Sequence, residues 1–420
     1  MRDDEDMTLT CDVLVVGAGP GGSSAAAAAA EAGAHTIMIE RKSRVGVPVQ
    51  CGEGIGAYLL PFLPFPIPPE QLIWTLNELT FWAEELSTAR TGKLWTTHLL
   101  NRAAFDAWLA RRAEEKGAEV LRETELIALT VKTGYTVTSA TVKTPAGIRE
   151  IAPRVVIAAD GVDATVLKLL GFKPDKQTTC GKVLSYEMAH LQLRSPRSFQ
   201  VFLGDFAPGV YAYILPKSRT TANVGVGTIV FDRKLRECYD AFMELPPVRA
   251  QVGTGTLVQD KSGWAPIRSF TEHWVYDNVL LVGDVANQNF KPFVEGIIPT
   301  IICGDRAGKT AADFIRGKGA LDIYPDRVRA TIGPLFAESD QLIPILYELS
   351  TSKDPRDHVL RLCLFASIIS LKQFEHLRRA DTDYRAIQGI VERWTRSPFR
   401  QPVADLIERL GFWYLLLKSR

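Results

Sequence analysis

The spacing Gly17-x-Gly19-x-x-Gly22 constrains this chain more than any other feature, because of what flanks it. Cys11–Val16 (CDVLVV) is a short valine-rich apolar run, the pattern of a buried parallel strand. Ser23–Ala32 is alanine-rich and predicts a helix, with Gly33 as the residue that ends it. His35–Glu40 (HTIMIE) predicts the next strand, completing a βαβ unit of about thirty residues. The glycine spacing is weak alone. Between a strand and a helix, with Glu40 at the end of the second strand, it predicts a dinucleotide site. The glycines allow a tight turn and close approach to a pyrophosphate, whose charge the helix N-terminus stabilises. The Glu40 carboxylate accepts from the adenosine ribose hydroxyls.

A chain of 420 residues exceeds one compact core, so two or more domains are expected. A net charge of +1 gives no reason to expect a nucleic-acid partner. The six cysteines form no C-x-x-C pair and the six histidines show no ligand spacing, which argues against zinc or iron–sulfur sites and suits a reducing cytosol. Met1 to Met7 is acidic and unlike a signal peptide, and no run reaches ~18 unbroken apolar residues. The expected location is cytoplasmic, extending to the inner face of the membrane.

Further along, the proline-dense Pro61 to Pro69 predicts a rigid loop, and Thr75–Ala83 a sheet segment of a second domain. Asn101 is placed to cap a helix running to Lys116. Val120–Gly147 has β character, and Val155–Ala159 reads as a buried strand ending in Asp160–Gly161. Thr178 to Pro266 is strand-rich, with Val201–Phe206, Tyr211–Pro216 and Ala222–Val230 the clearest pieces. Asn278–Val282 returns to the buried-strand pattern before Gly283–Asp284, and helical character follows from about Asp305. The expected fold class is α/β (α+β overall). A Rossmann-type cofactor domain occupies 8–60, 96–175 and 276–315; an antiparallel substrate sheet occupies 61–95 and 176–275; a C-terminal helical region occupies 316–420.

Asp160 and Asp284 both end buried strands beside glycine, at the carboxyl edge of a sheet where ligands bind. This order of motifs points to FAD, with Asp284 placed for a ribityl hydroxyl. The chain resembles the geranylgeranyl reductase family, within the flavoproteins of the p-hydroxybenzoate hydroxylase fold. The motifs shared with the larger group are Gly17-x-Gly19-x-x-Gly22, Glu40, Arg102 in NRxxFDxxL, Asp160–Gly161 and Gly283–Asp284. Pro48-Val-Gln-Cys51-Gly52-Glu53-Gly54 is similar to the reductases' loop beside the isoalloxazine. Tyr211-Ala-Tyr213-Ile-Leu-Pro216-Lys217 is similar to their cavity-lining strand, although halogenases carry a related one. The resemblance implies FAD contacts at Pro20, Arg41, Cys51, Gly52, Arg102, Gly296 and Ile297, and substrate contacts at Tyr211, Tyr213, Pro216 and Lys217. One departure is Val294, where the family commonly has glycine. A β-branched residue tolerates positive φ poorly, so a reshaped loop is expected there.

Hydrogenating an isoprenoid double bond needs a hydride on one carbon, a proton on the other and an apolar channel. Cys51 is a candidate acid or reactive thiol, or a small packing residue; Tyr211 and Tyr213, two apart on a strand, fit a cavity wall and ordinary core equally. The implied electron donor is NAD(P)H or a ferredoxin-type carrier protein. Leu360–Leu371 and Leu410–Leu417 suit either peripheral membrane contact or packing on the protein itself. Two alternatives stand beside an FAD-dependent reductase of a polyisoprenoid lipid. One is a flavin monooxygenase or halogenase, although no lysine stands in Val45–Gly56. The other is a prenyl-binding escort protein without redox activity, disfavoured because Glu40, Asp160 and Asp284 all remain.

Overall fold

The computed structural model describes residues 8–269, 273–291, 293–344, 352–380 and 382–398. Leu9–Val16 forms the centre of the first sheet, because Val13, Leu14, Val15 and Val16 are apolar and buried on both faces. It pairs in parallel with Thr36–Ile39 on one side and Gly147–Ala158 on the other. Glu119–Leu121 and Val279–Leu281 extend this parallel array outward. Val137–Thr144 and Glu125–Val131 add an antiparallel flap to Gly147–Ala158, giving eight strands in all with the edge strand Val275–Tyr276. The expected strand Val155–Ala159 is thus the end of a twelve-residue strand that starts as half of a hairpin.

The alanine run makes structural sense here. The helix Pro20–Glu31 is buried from Gly21 to Ala29, held between the sheet and the helix Ile297–Ile315. A Cβ at Gly304 would overlap the carbonyl of Gly21, and one at Gly308 that of Ala25. Small residues on both helices therefore set how closely they approach. Ile297–Ile315 begins earlier than the expected Asp305, because Ile297, Ile298, Ile301 and Ile302 give it a buried apolar stripe.

The second sheet runs in the order Thr256–Asp260, Cys180–Ala189, Ala222–Thr228, Ala212–Pro216, Ser198–Leu203, Glu78–Ala83, Leu86–Thr91, with Gly263–Pro266 also paired to Cys180–Ala189. All its pairings are antiparallel except Ser198–Leu203 with Glu78–Ala83. A third, three-stranded sheet joins Gly54–Gly56, Thr97–Leu100 and Leu72–Leu76. One face of the second sheet carries Ala212, Ile214 and Val224 against two helices, Leu235–Met243 and Pro246–Val252. The strand-rich reading of this region overlooked those helices. Their signal is the spacing of Leu235, Cys238, Tyr239 and Phe242, which is helical.

The other face carries Phe81, Val201, Tyr211, Tyr213 and Leu215 against the C-terminal helices Pro355–Phe365 and Tyr384–Arg396. Leu360, Leu362 and Cys363 are fully buried there, so this part of Leu360–Leu371 packs on the protein itself. Leu410–Leu417 lies outside the described residues. Among the described residues, no helix is long and apolar enough to cross a membrane. The proline-dense segment also departs from expectation. Ala57–Phe62 is a 3-10 helix containing Pro61, whose fixed φ suits that tighter turn.

Candidate active site

The first strand ends at Gly17 (φ +99°), where a Cβ would lie 2.5 Å from the carbonyl oxygen of Ala159. A Cβ at Gly22 would collide with Gly17, whereas one at Gly19 would meet nothing within 4 Å. The loop thus closes on itself and leaves Gly19 facing open space. The helix that follows has Pro20 in its first turn and no side chain capping its N-terminus, so its amides face the cavity unclaimed. Glu40 holds the loop: its carboxylate accepts from Ala18 N and Lys42 N, each at 3.0 Å. Arg41 bridges to Asp163 at 2.7 Å, with its side chain 54% exposed.

Asp160 accepts from Val166 N at 2.7 Å, and its second oxygen is buried without a partner in the protein. Burial pushes this carboxyl up to about 6, against its backbone hydrogen bonds. Beside it, Gly161 (φ +67°) is open to solvent space. Asp284 lies on the cavity wall, where burial likewise pushes its carboxyl up to about 6 while Arg102 and Lys291 pull it down. Gly296 caps the helix Ile297–Ile315 without any side-chain hydrogen bond, so a second helix N-terminus opens on the same cavity. An orphaned acceptor, an open glycine cradle and two uncapped N-termini fit FAD. Of the residues expected to hold it, Gly19, Pro20, Cys51, Gly52, Arg102, Gly161, Gly283, Asp284, Gly296 and Ile297 line this cavity, whereas Gly17, Gly22, Glu40, Arg41 and Asp160 lie off its wall.

Val294 corrects the expectation of a reshaped loop. It keeps φ at +56°, the left-handed conformation that glycine usually supplies. The neighbouring backbone pairing, Phe290 N to Glu295 O at 3.0 Å and Glu295 N to Phe290 O at 2.9 Å, holds it there. Such strain in a β-branched residue costs on the order of 1–3 kcal/mol. Pro292 lies outside the described residues.

The loop through Cys51 lines the same cavity. Cys51 Sγ accepts from Glu53 N at 3.2 Å. Glu53 is 2% exposed, has φ +69°, and does more than the sequence suggested. Its carboxylate accepts from Arg102 N at 3.0 Å and pairs with Lys217 at 2.6 Å and with Lys261. Glu187 meets both lysines, at 2.8 and 2.7 Å, so two buried cations face two carboxylates. Burial opposes the charge on Glu53, but the two ammonium groups hold it below the usual carboxylate range. Asn223 Nδ2 also ties down Gly52 O at 2.8 Å.

Three expected contact residues, Arg102, Pro216 and Lys217, are held in ways the sequence did not show. The Arg102 guanidinium contributes to the cavity wall but is fixed by Asp106, with Nε and Nη2 each at 2.8 Å from its carboxylate. Pro216 and Lys217 lie off that wall, which takes Tyr211, Tyr213 and Leu215 from their strand. Alternation turns Pro216 to the other face, and the Lys217 ammonium is bound to Glu53 and Glu187. Tyr211 donates to Phe293 O at 2.9 Å and Tyr213 to Ser185 Oγ at 2.8 Å, which leaves their rings facing inward, centroids 6.1 Å apart. Leu215, Phe199 and Trp264 extend the apolar wall and were missed in the sequence. Strand parity with Tyr213 would have found Leu215; Phe199 and Trp264 reach the cavity from other strands. The cavity holds about 410 Å³ and joins cofactor cradle to aromatic wall without a partition.

A glycine-loop cradle on a parallel sheet, opening onto a mixed second sheet, defines a flavin-dependent oxidoreductase. The model of the FAD dependent oxidoreductase family matches residues 12–175, and that of the geranylgeranyl reductase catalytic domain matches 180–258. Digeranylgeranylglycerophospholipid reductase 2 of Methanopyrus kandleri is 32% identical over 358 residues, 81% of this chain and 88% of that one. The digeranylgeranylglycerophospholipid reductase of Methanococcus aeolicus is 31% identical over 316 residues, 74% and 79% of the two chains. Among solved structures, a geranylgeranyl bacteriochlorophyll reductase-like protein from Thermoplasma acidophilum superposes with a TM-score of 0.73 at 23% identity, covering 89% of this chain and 100% of that one. A flavin-dependent brominase shares the fold with a TM-score of 0.66 at 16% identity, covering 92% and 99%. This chain belongs to the geranylgeranyl reductase family of FAD-dependent oxidoreductases.

Proposed function

We propose that the protein hydrogenates carbon–carbon double bonds in the geranylgeranyl chains of a glycerophospholipid, using FAD. The observation that carries this reading is the continuity of the cofactor cradle with a wall of Tyr211, Tyr213, Leu215 and Phe199. A substrate without polar groups at its reacting bond needs such a wall to hold it. Bound FAD, once reduced, supplies the hydride. The chain's own residues bind the cofactor, align the lipid and keep water from the reacting bond, with Cys51, Tyr211 and Tyr213 flanking it. Electrons reach FAD from NAD(P)H or a ferredoxin-type carrier, and the enzyme meets its lipid by peripheral contact with a membrane. Lys261 reaches the cavity wall, but its ammonium is paired with Glu53 and Glu187, which leaves it ill-suited to the lysine chemistry of a halogenase.

The deciding experiment incubates the purified protein anaerobically with FAD, dithionite and a digeranylgeranyl glycerophospholipid. Dithionite bypasses the choice of natural donor. A product heavier by one H2 per bond supports the proposal. No reduced lipid, with rapid oxygen-dependent reoxidation in the presence of an aromatic substrate, would move the protein to the monooxygenases.

A further inference from the structure

One carboxyl on the cavity wall has no partner among the groups described so far. Glu295 stands one residue before Gly296, at the N-terminus of the nineteen-residue helix Ile297–Ile315. Its Oε2 accepts from Gly56 N at 3.0 Å, and the Tyr58 hydroxyl bonds to the same carboxyl. A Cβ at Gly56 would lie 2.8 Å from that oxygen and would press into the Tyr58 ring, so the pair fits only beside glycine. The backbone of Glu295 is fixed by its two bonds to Phe290, and the preceding residue is the strained Val294. Strain kept at a cavity wall marks a position that function holds in place.

We propose that Glu295 is the proton donor of the hydrogenation, an assignment that rests on the reductase reading above. As one alkene carbon accepts the hydride pair from reduced FAD, the π electrons form a C–H bond to the Glu295 proton at the other carbon. The carboxyl O–H bond breaks and leaves a carboxylate, which takes a proton from solvent after product release. That carboxylate is stabilised by the helix N-terminus, the Gly56 amide and the Tyr58 hydroxyl. Tyr58 touches neither lipid nor flavin in this scheme and acts as a positioning residue.

The groups facing Glu295 support the choice. They are Tyr58 from the turn Ala57–Phe62, Tyr211 from the second sheet with Cys51 beside it, and Asp284 across Gly296 with Arg102 behind it. Burial lifts both tyrosine hydroxyls above their ordinary range, so they hold their protons. Cys51 sulfur is already an acceptor for Glu53 N and a partner of Arg102. Burial raises the Glu295 carboxyl to about 7, against the Gly56 and Tyr58 hydrogen bonds, which leaves a proton both present and transferable near neutral pH.

The test uses the FAD-loaded protein, reduced with dithionite and reoxidised by digeranylgeranyl lipid over a range of pH, in wild type, Glu295→Gln, Tyr58→Phe and Cys51→Ala. Wild type should lose rate as pH rises through the region near 7. Glu295→Gln should keep FAD and lipid binding, lose about a hundredfold in rate and lose that limb. Tyr58→Phe should move the limb to higher pH, since it removes a bond that holds the carboxyl down. Cys51→Ala should leave the limb where it is. Without FAD, infrared difference spectra should show a protonated-carboxyl stretch titrating in the same region and missing from Glu295→Gln. An unchanged limb in Glu295→Gln would overturn the assignment; if that variant fails to fold, a limb unmoved in Tyr58→Phe would do so. A wild type that reduces no lipid would overturn the reductase reading instead, and is distinguishable because the infrared titration does not depend on turnover.

Discussion

Asp160 and Asp284 show how two aspartates can be tuned by position alone. Each ends a buried parallel strand, and each is raised by burial to about 6. A folded-state value above the unfolded one means that the folded protein binds more protons between about pH 4 and 6. Stability of the FAD-free protein should therefore fall as pH rises through that window and level off above it. Asp160→Asn should flatten part of the slope, by roughly 3 kcal/mol across the window, in denaturant titrations at several pH values. Asp284→Ala should weaken FAD retention, measured by ultrafiltration and absorbance; unchanged occupancy would mean that this carboxyl does not hold the cofactor. Cys51→Ala should keep its yellow colour and turn over more slowly, through poorer alignment of the lipid, at every pH. Full turnover would reduce Cys51 to packing.

The helices that frame the cradle set their distance by glycine. Pro20–Glu31 and Ile297–Ile315 approach so closely that Gly304 and Gly308 admit no side chain against the backbone of Gly21 and Ala25. Gly308→Val should separate the pair and destabilise the protein by about 1–3 kcal/mol. Both helix N-termini open on the cofactor cavity, so the same substitution should also lower FAD affinity. A variant with a lower melting temperature but unaltered FAD binding would show that the cradle tolerates a shift of its helices. The element scale also explains the missed helices Leu235–Met243 and Pro246–Val252. They cover the face of Ala212, Ile214 and Val224, leaving the tyrosine face to the cavity and the C-terminal helices.

Across the whole molecule, Glu53 is the joint between the two sheets. Its carbonyl accepts from Leu100 N at 2.9 Å and its carboxylate from Arg102 N, while Lys217 and Lys261 reach it from the second sheet. Glu53→Ala would leave two buried ammonium groups with Glu187 as their remaining carboxylate. Breaking such a network from one side costs about 3–5 kcal/mol. The expected outcome is a large loss of stability in chemical unfolding, together with poorer lipid turnover as the Cys51 loop loses its anchor. A loss within experimental error would mean that the network relaxes by taking in water.

The sequence by itself determined the βαβ unit, the Asn101 cap and the carboxyl-edge placement of Asp160 and Asp284, because glycine spacing, alternation and strand ends are local properties of the chain. The tyrosine strand was also legible, since period two places Tyr211 and Tyr213 on one face whatever packs against them. Only the tertiary structure decided what each side chain meets. Lys217 carries the same parity as Tyr213, yet it ends on carboxylates separated from it by 164 and 30 positions in sequence. Arg102 is claimed by Asp106, and Glu295 by an amide 239 positions away. Val294 keeps a conformation that its own side chain disfavours, because backbone pairing across the Phe290–Glu295 turn outweighs local preference. Buried charges seek partners over any sequence distance, since an unpaired charge in a low-dielectric interior costs more than any local propensity can return.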